Sequence, residues 1–263
     1  MPILSYLFWA GLLAIWAMAL WDCARWPRQT SAAWRHFRPV AIGIAAMAAV
    51  FLVVNLARFS RGESLRLLNE AVRFVSVAAG ASVFFCGGWS WVARAGHTGL
   101  LERARRRLKG FSAPSVRRAL IETIGVAAAI VGFSWVLFTL IKTEPSAAFR
   151  ELFKSPERLE IRSGYIYLSV ALAALWEETA FRWYLLNRLE EALRRWRWAR
   201  ALAIVATAAF WACGHAAVTA PFWVKLVQIF VVGCLLAWRF PVIGLSGCIL
   251  AHLTMNLAAV SLP

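Results

Sequence analysis

About eight apolar blocks of roughly 20 residues, parted by short and mostly basic loops, constrain the fold more than any other feature of this chain. Their approximate extents are 3–21, 39–57, 71–93, 119–141, 164–187, 201–220, 222–238 and 241–260. A helix of about 20 residues crosses the hydrocarbon core of a bilayer and satisfies its own backbone polar groups, as a spanning segment must. The expected fold is therefore all-α, a polytopic transmembrane helical bundle of about eight spans. The seventh block is short and is expected to be tilted or partly interfacial. Composition agrees, with 61% of residues hydrophobic and 16% charged, where soluble domains average about a quarter charged. Many of the 15 Trp residues stand near block ends, where the ring is apolar and its N–H can meet water.

The net charge of +16 sits in the loops. Once the spans are removed no compact basic domain remains, so nucleic acid is not an expected partner. The first loop carries Arg25, Arg28, Arg35 and Arg38. The third carries Arg94, Arg103, Arg105, Arg106, Arg107, Lys109, Arg117 and Arg118, and the fifth Arg188, Arg194, Arg195, Arg197 and Arg200. The fourth offsets its basic residues with Glu144, Glu151, Glu157 and Glu160, and the sixth is a tight turn at Ala220-Pro221. The positive-inside rule then makes the odd loops cytoplasmic, puts both termini outside, and makes anionic lipid the expected partner of the Arg-rich loops. The second loop, with Arg58, Arg61, Arg66 and Arg73, fits this pattern least well. No Lys or Arg precedes the first apolar run, so it reads as an uncleaved span rather than a signal peptide. The five cysteines form no Cys-x-x-Cys pair and read as small buried residues, without a disulfide framework. The Arg-rich third loop divides an N-terminal three-span region, residues 1–118, from a five-span part, residues 119–263, within one membrane domain.

Ionisable residues inside a span are costly, and here they gather on the C-terminal helices. The fifth block contains Trp176-Glu177-Glu178-Thr179-Ala180-Phe181-Arg182. On a helix Glu178 and Arg182 share a face and neutralise one another. Glu177 lies about 100° round and is left without that partner; a carboxylate among apolar groups is suited to act as a general base. The sixth block holds His215 after Trp211-Ala212-Cys213-Gly214, and the eighth holds His252 and Asn256, four apart and therefore on one face. Counted from the cytoplasmic ends at about 1.5 Å per residue, Glu177, His215 and His252 lie about 15, 20 and 16 Å deep. Each has a plainer explanation alone: a buried Glu–Arg pair can be purely structural, and a single membrane His is often a packing hydrogen bond. Three polar accidents at one depth are harder to explain than one shared cluster. Glu190-Glu191-Ala192-Leu193-Arg194-Arg195 repeats the Glu-Glu-x-x-x-Arg pattern in a charge-rich stretch, where it reads as a solvated helix face. Placement in an apolar span is what makes the first copy informative.

These residues resemble the CPBP family, the CAAX-prenyl-protease and bacteriocin-processing proteins also called Abi. Its Glu-Glu-x-x-x-Arg motif is matched by Glu177, Glu178 and Arg182. Its Phe-x-x-x-His motif corresponds to Trp211 through His215, with Trp in place of Phe, and its His-x-x-x-Asn/Asp motif is matched by His252 and Asn256. The stretch from Gly233 to Gly247, with Arg239 and Pro241, is similar to the family's linker into the final helix. The resemblance covers roughly residues 120–260 and leaves the first three blocks unmatched. It implies an intramembrane endopeptidase in which Glu177 and His215 activate the attacking water while His252 and Asn256 stabilise the tetrahedral oxyanion. Arg182 would hold Glu178 and the helix end. It also implies a peptide or protein substrate at the membrane, with prenylated CAAX ends as one substrate class.

Family members are often labelled metalloproteases, and Glu177, His215 and His252 could form a zinc site with one open position. No His-Glu-x-x-His is present, however, and a glutamate mechanism with no required cofactor is the favoured expectation. The alternatives are a non-catalytic membrane scaffold or bacteriocin-immunity protein on the same fold, or a proton-carrying transporter, although the inverted repeats and broken helices of transporters are not evident. The expected location is the plasma (inner) membrane, multi-pass, in a bacterium.

Overall fold

The computed structural model describes residues 2–56, 61–94, 113–146, 159–216 and 218–261. The apolar blocks become helices: α1 (Pro2–Arg25), α2 (Pro27–Leu56), α3 (Arg61–Arg94), α4 (Ala113–Ile141), α5 (Leu159–Glu177), α6 (Leu186–Ala192), α7 (Ala199–Cys213) and α8 (Phe222–Ser261). A π-helical segment, Glu178–Leu185, joins α5 to α6. Two short strands, β1 (Glu144–Pro145) and β2 (Thr219–Ala220), pair antiparallel with Glu144 opposite Ala220, tying the loop after α4 to the turn before α8. Most of the Arg-rich third loop and residues 147–158 of the fourth lie outside the described residues.

The architecture is an all-α membrane bundle. By length and apolarity three helical stretches qualify as membrane spans among the described residues: Tyr6–Arg25, Val116–Ile141 and Phe222–Ala259. Val75–Ser90 and Ala199–Cys213 are apolar but shorter, so the expected count of about eight crossings is not established by these helices. Leu13, Ile124, Leu140, Val205 and Leu250 stand exposed on the outer surface, which suits contact with lipid chains rather than water.

The last two apolar blocks are the halves of α8. Pro241 cannot donate to the helix ladder, and Gly244 departs from helical geometry with φ 70° and ψ −175°. Cys248 Sγ then lies 3.7 Å from the carbonyl oxygen of Leu236. Along a straight helix residues twelve apart would be about 18 Å apart, so the halves fold back upon one another. This reversal brings His252 to the π segment. Only glycine adopts the Gly244 conformation without strain. Gly244→Val is therefore expected to lower unfolding stability by about 1–3 kcal/mol, read as an earlier thermal melt of the detergent-solubilised protein. An unchanged melt would mean that the turn tolerates another conformation.

One buried core runs through both parts of the chain. Ile15 and Ala19 of α1 and Phe84 of α3 pack in the same cluster as Ile130 of α4, Phe181 and Tyr184 of the π segment, Trp211 of α7 and Leu236 and Met255 of α8. Asp22, just past the apolar block read as 3–21, lies within α1 and is fully buried. Its carboxylate accepts the Tyr184 hydroxyl at 2.8 Å and faces Arg188 Nε at 3.4 Å. A charged group withdrawn from water needs such partners, and these lie a few residues beyond Arg182. The first helix is thus fastened to the segment that carries the candidate site.

Candidate active site

The fifth apolar block does not continue as a plain α-helix through its carboxylates. α5 ends at Glu177 and the π segment begins at Glu178. π-turns free backbone carbonyls from their usual partners and recur at functional sites. Here Thr179 Oγ1 approaches the Leu175 and Trp176 carbonyl oxygens at 3.0 and 2.9 Å, a local side-chain bond that compensates for the change of helix. The Glu178–Arg182 pairing expected of an α-helix survives the change, with Nη1 to Oε1 at 3.2 Å. Both side chains are essentially buried, at 0% and 1% exposure.

Glu178 also holds His252. The Nδ1 atom of His252 lies 2.8 Å from Glu178 Oε1, which leaves the ring's Nε2 3.9 Å from Glu177 Oε2. His215 reaches the same point from another side, with its Nε2 also 3.9 Å from Glu177 Oε2. Its Nδ1 is 3.1 Å from the Trp211 carbonyl oxygen. A ring nitrogen facing a carbonyl oxygen must carry the hydrogen, so Nε2 of neutral His215 is an acceptor. Two imidazole nitrogens and one carboxylate oxygen therefore converge on a single small volume. Glu177 and His215 keep partial exposure at 15% and 23%, whereas His252 is 2% exposed. The cluster is open on the Glu177–His215 side and closed behind His252.

The structure corrects the sequence expectation at several points. His215 does not lie on the helix of the sixth block. Helix α7 stops at Cys213, Gly214 is its cap, and His215 sits in the turn that follows. Leaving the helix there gives the side chain its approach to Glu177. Glu177 has no ion pair with Arg182, as expected, and its Oε2 accepts a hydrogen bond from Trp211 Nε1, which the sequence did not indicate. Asn256 Nδ2 donates to the Val170 carbonyl on α5 at 3.3 Å, so one of its two amide hydrogens is engaged away from Glu177. The second Glu-Glu copy lies at the partly exposed end of α6, where Glu191 pairs with Arg194 at 3.0 Å and Glu190 with Arg200 at 2.9 Å. It makes no contact with the cluster among the described residues.

Residues 162–258 match the family described as type II CAAX prenyl endopeptidase, Rce1-like. Over this segment the chain is similar to that family. No curated protein and no solved structure matches the chain. The matched segment begins within α5 and ends within the second half of α8, so it takes in Glu177, Glu178, Arg182, His215, His252 and Asn256 together. Among the described residues no three His, Cys, Asp or Glu side chains are gathered closely enough to hold a metal ion. Glu177, His215 and His252 have the donor types of a zinc site, and each imidazole Nε2 stands 3.9 Å from the carboxylate oxygen.

Proposed function

We propose that the protein hydrolyses a peptide bond of a membrane-borne substrate, using Glu177 as the base that activates water. The observation that carries this reading is the convergence of His215 Nε2 and His252 Nε2 on Glu177 Oε2, each at 3.9 Å. A water that donates to Glu177 Oε2 and His215 Nε2 gives a proton to Glu177 as its oxygen bonds to the substrate carbonyl carbon. His215 orients that water. The carbonyl oxygen becomes an oxyanion that accepts the free amide hydrogen of Asn256 and, with Nδ1 of His252 donating to Glu178, a hydrogen carried on His252 Nε2. Glu177 then returns its proton to the amine nitrogen as the C–N bond breaks, giving one new carboxylate and one new amine.

The family points to a substrate class, a C-terminal Cys-a-a-X segment whose cysteine carries an isoprenoid. The lipid chain would lie in the bilayer beside the bundle, and anionic lipid would meet the Arg-rich loops. We place the protein in a bacterial plasma membrane, with no cofactor required. The test uses wild-type protein in liposomes with a farnesylated Cys-a-a-X peptide, assayed before and after treatment with EDTA and 1,10-phenanthroline. Release of the C-terminal tripeptide at an unchanged rate in chelator is the expected result. Loss of activity restored by added zinc would overturn the metal-free mechanism. No release from any prenylated or unprenylated peptide would remove this substrate class.

A further inference from the structure

Trp211 touches every functional group of the cluster except Glu178 and Asn256, although its residue type carries no catalytic chemistry. Its indole N–H donates to Glu177 Oε2. Its ring meets His215 edge-on at 5.4 Å between centroids and His252 edge-on at 5.1 Å. The Arg182 guanidinium lies over it, 4.0 Å from the centroid, and its carbonyl oxygen holds His215 Nδ1 at 3.1 Å. The side chain is 1% exposed. The space is made by Gly233 of α8: a Cβ there would lie 2.9 Å from Ala208 Cβ and 3.1 Å from Trp211 Cε3.

We propose that Trp211 is a positioning residue, whose indole N–H fixes the Glu177 carboxylate between the two imidazoles. The inference rests on the peptidase reading above for its effect on rate, though not for the contact itself. An ionised carboxylate oxygen has two lone pairs. The indole takes one at Oε2 and leaves the other for the water. Glu177 is the last residue before the π segment, has no ion-pair partner among Lys and Arg in the described residues, and is partly exposed. Nothing else among the described residues donates a hydrogen bond to it, so without the indole its carboxylate could rotate away from the imidazoles. A phenylalanine in this place could fill the space and meet the histidines, but it could not hold the carboxylate. The Trp-for-Phe departure in the His-bearing motif thereby acquires a function.

The test separates the donor from the ring. Trp211→Phe keeps an aromatic side chain. Replacing Trp211 with 3-benzothienylalanine, which has sulfur in place of the N–H, keeps the bicyclic shape. Both are expected to lower kcat on the farnesylated peptide by about 10- to 100-fold, the cost of a loosely held reacting group, with KM changed less than about twofold. A sulfur variant with wild-type kcat would overturn the proposal, because the ring alone would then suffice. An activity-independent readout is the indole N–H resonance of Trp211, identified by its loss in Trp211→Phe. It should move upfield in Glu177→Gln, where a neutral amide replaces the anion. An unmoved resonance would overturn the contact. Wild type that cleaves no peptide would defeat the peptidase reading, and the resonance would then decide the contact by itself.

Discussion

Glu177→Gln will abolish proteolysis while leaving the bundle folded. Gln keeps the volume of Glu and can still accept the Trp211 indole N–H at its amide oxygen. It cannot take a proton from water. A positioned general base contributes about 10²- to 10⁴-fold, and the neighbouring carboxylate is not free to replace it, since Glu178 is buried and engaged by Arg182 and His252. A fall of about 10³-fold or more in kcat is therefore expected. Because Glu177 is partly exposed and forms no ion pair with Arg182, the melt should shift by less than about 1 kcal/mol equivalent. The same variant identifies substrates. Membrane-protein N-termini would be compared in cells making wild type and Glu177→Gln at equal abundance, and new N-termini should appear only with wild type. Matching sets under several stress conditions, with both proteins folded, would leave the catalytic reading without support. A non-catalytic scaffold on the same fold would then be the better account.

The helices and the polar cluster were legible because they follow from composition and spacing. Twenty-residue apolar blocks impose helix in a bilayer. Glu178 and Arg182, at four residues' spacing, pair as expected. Arguments from depth placed Glu177, His215 and His252 together, and the distances agree. The features that were not legible depend on local breaks or on contacts between distant segments. An apolar run gives no sign that α7 ends at Cys213, because Ala216, Val218 and Ala220 continue the same composition beyond Gly214. The π segment leaves the sequence pattern unchanged and alters only which carbonyls are satisfied. Asp22 looked like a block end meeting water, and its burial depends on Tyr184, 162 residues away. Trp211 stood out in the sequence as the Trp in place of Phe in the His-bearing motif, without a role of its own. The only signal was its place one turn before His215, where a bulky aromatic with a donor sits beside a titratable ring. The kink in α8 was half visible: Pro241 and Gly244 stand between two apolar blocks, but the backward fold that delivers His252 becomes evident only with Cys248 against Leu236.

Arg182→Met is expected to destabilise the protein more than any catalytic substitution, by about 3–5 kcal/mol, the cost of leaving one member of a buried pair unpaired. The Glu178 carboxylate has 0% exposure, and Arg182 is its cationic partner at 3.2 Å. Without the guanidinium, His252 Nδ1 at 2.8 Å remains its donor. The stack over Trp211, 4.0 Å from the ring centroid, is lost as well. Glu178→Gln should be destabilising for the complementary reason, since it leaves a buried guanidinium whose Nε, Nη1 and Nη2 have no hydrogen-bond acceptor among the described residues. The double variant Glu178→Gln/Arg182→Met removes both charges, and replacing a buried pair by groups of similar size is often close to neutral. Its melt should return to within about 1–2 kcal/mol of wild type. Its rate should not return, because a neutral amide holds the His252 ring less strongly than a carboxylate does. Singles that melt like wild type would show that the pair contributes nothing to stability. A double variant as unstable as either single would show that the two charges act independently. A double variant with both stability and rate restored would confine Glu178 and Arg182 to assembly of the helices, and orientation of His252 would then have to come from the packing of α8 alone.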